Sequence, residues 1–140
     1  MENKNFTMSM ECPPVASFLP LLLKISREVM QHLQADMQTR LCFAVNEGLI
    51  HAIKYSNDNE MNMTLKFNMN NDYIEFTIKY YGIEIPTIVF DGITSHLFDG
   101  KLWDEYGKWL LVISEIADEW SFKRDEQGRN ILKMKHMYAD

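Results

Sequence analysis

Only two cysteines occur in the 140 residues, Cys12 and Cys42. That is too few for a disulfide framework, and no Cys/His pair has the spacing of a zinc site, so both thiols are expected to be reduced, buried and inert. The longest purely apolar stretch near the start, Phe18 to Leu23, is too short to span a bilayer. It also lacks the preceding basic segment and the small-residue cleavage site of a signal peptide, which predicts a cytoplasmic protein with no membrane association. Basic residues are outnumbered, 14 Lys and Arg against 20 Asp and Glu, giving a net charge of −6 and a pI near 5.2. No segment gathers enough cations to neutralise many phosphates, which argues against direct nucleic-acid binding. Internal repeats, low-complexity tracts and domain linkers are absent as well.

What the chain does have is apolar material: 46% hydrophobic and 12% aromatic residues, enough for a two-layer core in one domain spanning residues 1–140. Ten methionines suit adaptable packing or a pliable partner surface, and equally a composition bias. Lys123, Arg124, Arg129, Lys133 and Lys135 cluster around a C-terminal hairpin. They read first as a solvated sheet face and second as a surface for an acidic partner.

In chain order, Phe6, Met8 and Met10 alternate with polar residues as a first edge strand closed by Pro13-Pro14. Ser17 is placed to cap a helix with Pro20 in its first turn and an apolar stripe Leu22, Ile25, Val29, Leu33, ending near Gln34. Asp36 is positioned as the N-cap of a second helix that runs to about Tyr55. Unbroken alternation from Met61 to Met69, the Asn70-Asn71-Asp72 turn and the run Tyr73 to Tyr80 make a hairpin, with Ile74, Phe76, Ile78 and Tyr80 pointing inward. The apolar stretch Gly82 to Trp103 has no period and reads as a packed loop. A third helix begins near Asp104, and strands Trp120–Arg124 and Asn130–Met137 close the chain. This order predicts an α+β fold, a two-layer sandwich of a mostly antiparallel sheet with helices on one face.

The chemistry gathers on the second helix. Leu41, Val45, Leu49 and Ala52 form its core stripe, while Glu47, His51 and Tyr55 stack at i,i+4 spacing on a neighbouring face. Such a row on an apolar helix looks into a cleft or pairs internally, because a buried carboxylate without a partner is costly. The stretch resembles the first motif of the anti-sigma-factor serine/threonine kinase family, Ala-Val-x-Glu-Ala-x-x-Asn-Ala-x-x-His, which has the Bergerat ATPase fold. Ala44, Val45, Glu47 and Ala52 match; His51 stands at the magnesium-binding Asn and Tyr55 at the His.

The resemblance implies roles for further positions. Glu47 would be the general base. His51, an imidazole where a hard cation needs oxygen, is a poor magnesium ligand, and a Glu47–His51 hydrogen bond across one turn is the simpler expectation. Tyr80-Tyr81-Gly82-Ile83-Glu84 stands where the family has Asp-x-Gly-x-Gly. There Gly82 is kept, Tyr80 replaces the adenine-reading Asp and fills volume the base needs, and Glu84 replaces the second Gly. Gly107-Lys108-Trp109 stands at the Gly-x-Gly of the phosphate loop, keeping Gly107 and replacing the second Gly by an indole. Asn130 stands near a hydroxyl that assists adenine binding.

The family acts by partner switching among a sigma factor, a dimeric anti-sigma factor and its antagonist. The resemblance therefore implies a regulatory protein that binds a sigma factor or antagonist-like protein, as a homodimer, with ATP binding and kinase activity lost and no cofactor expected. The alternative is an active ATP-dependent kinase using magnesium and phosphorylating the antagonist. A third reading places another small molecule between Tyr80, His51 and the third helix.

Overall fold

The computed structural model describes residues 5–85 and 108–138. Its strands are β1 (Phe6–Cys12), β2 (Met63–Met69), β3 (Tyr73–Tyr81), β4 (Glu119–Arg124) and β5 (Arg129–Met137). The helices are α1 (Leu19–Val29), α2 (Ala35–Tyr55) and α3 (Lys108–Ile116). The five strands form one antiparallel sheet in the order β1-β2-β3-β5-β4, and the helices pack on one face of it. This is the two-layer α+β sandwich that the element order predicts.

Alternation sets which side chains enter the core. Met63, Leu65 and Phe67 on β2 and Ile74, Phe76, Ile78 and Tyr80 on β3 are buried, with the intervening residues of β2 on the other face. Phe67 and Phe76 are direct cross-strand partners in a T-shaped pair 5.2 Å apart. Such a pair adds about 0.5–1.5 kcal/mol beyond the area it buries. Helix α2 turns Ala44, Gly48 and Ala52, a ladder of small residues at i,i+4 spacing, into the protein interior. A Cβ built on Gly48 would lie 2.8 Å from Ile78 Cδ1 and 3.0 Å from Leu132 Cδ2. That glycine lets the helix axis approach the sheet, which offsets the roughly 1 kcal/mol of helix propensity it gives up.

Four boundaries differ from the sequence expectation by more than one residue or in their cap. Helix α1 ends at Val29, not near Gln34: Met30 is fully buried, its N–H bonds Ser26 O, and a turn follows through Leu33. Neither Ser17 nor Asp36 is a cap. Ser17 lies in a short 3-10 turn, Ala16–Phe18, before α1. Asp36 lies inside the first turn of α2 behind Gln34, where it still opposes the helix dipole. Met61 precedes the strand and is exposed. The loop expected over 82–103 lies largely outside the described residues, which resume at α3; its first residues end on the buried Ile85.

Candidate functional site

Helix α2 carries Glu47, His51 and Tyr55 along the side that meets α3 and the end of β3. His51 is only 3% exposed, and its ring stacks on that of Trp109 with centroids 3.7 Å apart and planes 22° from parallel. Tyr55, Tyr80 and Phe122 close around the same imidazole, with centroids 5.0, 5.3 and 6.1 Å away. His51 Nε2 is hydrogen-bonded to the Tyr80 hydroxyl. The expected Glu47–His51 bond is not formed: His51 Nδ1 has no partner among the described residues. Register explains why, since β3 delivers the Tyr80 phenol to the ring from the sheet side while Glu47 stays half-buried toward solvent.

Tyr80, Asn130 and Arg124 are successive cross-strand neighbours on the helix side of β3, β5 and β4. Arg124 Nη1 donates to Asn130 Oδ1 at 3.1 Å and to the Gly82 carbonyl at 3.0 Å. That contact fixes the amide so that Asn130 Nδ2 donates to the Ile83 carbonyl at 2.8 Å. Asn130 and the Arg124 charge also act on the Tyr80 phenol, both as small effects that favour its ionised form. One proton is shared along the Tyr80–His51 contact, and which ring donates follows the imidazole tautomer.

Burial governs the titration of both rings. Desolvation, with a smaller contribution from the Lys54 charge, pushes the His51 pKa down to about 3, so the ring is neutral near pH 7. Burial raises the Tyr80 pKa well above the usual phenol value, against smaller lowering effects of the Asn130 hydrogen bond and the Arg124 charge. Two nitrogens in the stack, His51 Nδ1 and Trp109 Nε1, are buried without partners among the described residues. Each such group costs about 1–3 kcal/mol, so packing of the rings must exceed that cost.

Gly82 is held by sterics. A Cβ there would lie 2.4 Å from Tyr80 Cε2 and 2.7 Å from the Tyr55 carbonyl oxygen, so the chain can pass between ring and helix end only as glycine. Its neighbours are tied to the end of α2: Asn57 N bonds Tyr81 O at 3.0 Å, and Ile83 N bonds Tyr55 O at 3.4 Å.

Of the residues singled out in the sequence, the fold therefore brings His51, Tyr80, Gly82 and Asn130 together, with Glu47 at the rim. Gly107 lies outside the described residues; Lys108 is exposed at the start of α3, and Trp109 is buried. Arg124, the tether, was missed; Trp109 was named as the indole of the phosphate-loop position, but not as the stacking partner of His51. Counting register through the last hairpin places Arg124 opposite Asn130, so that signal was present. The stack itself depends on how α3 docks and has no local signature.

A cleft of about 260 Å³ runs between α2 and α3, lined by the outer sides of His51 and Trp109 together with Glu47, Lys54, Tyr55 and Lys108. Its donor set does not suit magnesium. Glu47 is a single carboxylate, the imidazole is already bonded to Tyr80, and no cluster of three His, Cys, Asp or Glu side chains occurs among the described residues. No helix of the described residues is long and apolar enough to cross a membrane.

No protein-family model and no curated relative matches the chain. Among solved structures it is similar in fold to a chain of the SiaB–SiaC complex from Pseudomonas aeruginosa. The match has a TM-score of 0.63 over 94% of this chain and 89% of the other, at 12% identity. At that identity the likeness defines the fold alone, which agrees with the two-layer α+β sandwich described above.

Proposed function

We propose that the chain is a non-catalytic regulatory module of the anti-sigma type, acting in the cytoplasm by binding a protein partner. The observation that carries this reading is the buried stack of Trp109, His51 and Tyr80, which sets the protein's own side chains between α2, α3 and β3 on the inner wall of the cleft. On the family resemblance a purine would need Tyr80's volume, and its metal an oxygen donor at His51. Surfaces then remain as the means of action. That the similar solved structure is a complex of two proteins supports a protein partner, a sigma factor or an antagonist-like protein.

A homodimer is part of the proposal. Strand β1 is a sheet edge, and the groove beside it exposes Phe6 and Leu21 at 43% and 54%. Light scattering on the native chain and on Leu21→Glu tests this, with a monomeric variant expected.

The second reading, an active ATP-dependent serine/threonine kinase, is favoured by the cleft beside Glu47, whose carboxylate and two lysines face open volume. A thermal-unfolding scan with millimolar Mg-ATP separates the two. A ligand at about 100 times its Kd would add roughly 2.7 kcal/mol of stability. No shift is expected, and a shift of that size would overturn the non-catalytic reading. Combining His51→Asn, Tyr80→Asp and Trp109→Gly should restore nucleotide binding if the scaffold is otherwise kept.

A further inference from the structure

The helices cover one face of the sheet, and the other face has a charge pattern opposite to that of the chain. Six cations point outward there, Lys66, Lys79, Lys123, Lys133, Lys135 and Arg129, against three carboxylates, Glu11, Glu75 and Glu119, in a chain of net charge −6. Two of the six are neutralised locally. Arg129 is bonded to Asp125 at 2.8 Å, and Lys135 lies 3.9 and 3.5 Å from Glu75 and Glu119. Lys135 also sits over the Tyr73 ring, 4.2 Å from its centroid.

The other four have no ion pair among the described residues. Register makes them one patch: Lys66 and Lys133 flank the buried Thr77, while Lys79 and Lys123 flank Ile131 in the next row. Lys66, Lys79, Lys133 and Lys123 are thus successive diagonal neighbours, on the order of 7–8 Å apart. Like charges at that spacing lie within the screening length of physiological salt and repel one another. That repulsion lowers the stability of the free protein and favours whatever brings negative charge to the patch.

We infer that the open face of the sheet, centred on Lys66, Lys79, Lys133 and Lys123, is a docking surface for an acidic surface of a protein partner. This inference rests on the partner-binding reading above and assigns it a place on the molecule. A protein is favoured over nucleic acid by the carboxylates at the margins. Glu11, Glu75 and Glu119 would oppose a continuous phosphate backbone, whereas a folded partner can present cations to them and carboxylates to the lysines. The face lies across the sheet from the His51 stack, so the two can be perturbed separately.

The test uses the full chain and a fluorescein-labelled polyglutamate peptide, titrated by anisotropy at low and at physiological salt, with oligothymidine of matched length as competitor. Saturable binding that weakens with salt is expected. The Lys79→Glu, Lys133→Glu double variant should bind on the order of tenfold more weakly, while Arg40→Glu on α2 leaves binding unchanged. Absence of peptide binding overturns the inference, as does equal weakening by Arg40→Glu or tighter binding of oligothymidine than of peptide. A measurement without ligand guards against misfolded variants. Neutralising the patch with Lys79→Gln and Lys133→Gln should raise the unfolding midpoint at low salt and lose that advantage at high salt. A lowered midpoint at both salts would remove the repulsion on which the inference depends. The Mg-ATP scan reads the opposite side of the sheet, so either result can fail while the other stands.

Discussion

Lowering the pH from about 7.5 to about 4.5 protonates His51 in the unfolded chain and leaves it neutral in the folded one. The folded pKa is pushed down to about 3 from the ordinary 6.5, first by burial and second by the Lys54 charge. Between these values the unfolded state binds the extra proton, so this residue's contribution is fully present above the unfolded pKa and is lost as pH falls toward the folded one. The slope is about 1.4 kcal/mol per pH unit well inside that window, and integration to about pH 4.5 gives a loss on the order of 2.5 kcal/mol. Urea unfolding of the native chain and of His51→Phe across this range is the assay. Carboxylates common to both chains cancel in the difference, and the lost Tyr80 bond adds only a constant offset. The gap in stability between native and variant should therefore change by the stated amount toward acid, with the variant gaining relative to the native chain. Parallel stability curves, or an imidazole that titrates near pH 6.5 in the folded protein, would refute the claim that the ring is sealed.

Gly82→Ala should cost more than about 2 kcal/mol in chemical denaturation, because the added methyl meets the Tyr55 carbonyl, which is backbone, as well as the Tyr80 ring. Gly128 differs: its φ is +83° in the turn between β4 and β5, and the nearest foreign atom to a Cβ is 3.6 Å away. Gly128→Ala is expected to cost about 1 kcal/mol from the dihedral alone, and Gly128→Asn less, measured by the same denaturation. Asn130→Ala removes the acceptor of Arg124 and the donor to Ile83 O. A loss of about 1–3 kcal/mol should follow, with faster amide hydrogen exchange at Ile83 and Tyr81 than in the native chain.

Much of the fold was legible because its signals are periodic. Alternation put Met61, Met63, Leu65, Phe67 and Met69 on one face of β2, where Met63, Leu65 and Phe67 are buried and Met61 is exposed ahead of the strand; on β3 it named Ile74, Phe76 and Ile78, with Tyr80 added by counting by twos, and all four are buried. Helix ends were less legible. Ser17 and Asp36 are good capping residues by type, yet the chain enters α1 through a 3-10 turn and α2 through Gln34, and α1 stops where Met30 turns into the core. At the site, the residues named from the sequence meet in the fold, but through a different bond from the one expected. Glu47 and His51 are neighbours along α2, and local spacing favoured pairing them. The competing phenol arrives from β3, 29 positions away in sequence, and wins because both rings are sealed while the carboxylate keeps its water. A contact of that kind is set by register and by the closeness that Gly48 permits between helix and sheet.

The buried rings also constrain how such a site could have changed. Tyr80 alone at the end of β3 would bury a hydroxyl without its His51 partner. His51 alone would bury two nitrogens, and Trp109 alone would cover a hollow. Each residue offsets a cost that another creates: the phenol and one imidazole nitrogen satisfy each other, and the indole covers both. Arg124 and Asn130 extend the same logic to the backbone, holding the carbonyls of Gly82 and Ile83 in place. A pocket built to open and close around a ligand needs polar groups that exchange partners with water. Here most of them are committed to one another inside the core, which is why this corner of the domain behaves as part of its hydrophobic centre, and why recognition by this chain is better sought on its surfaces.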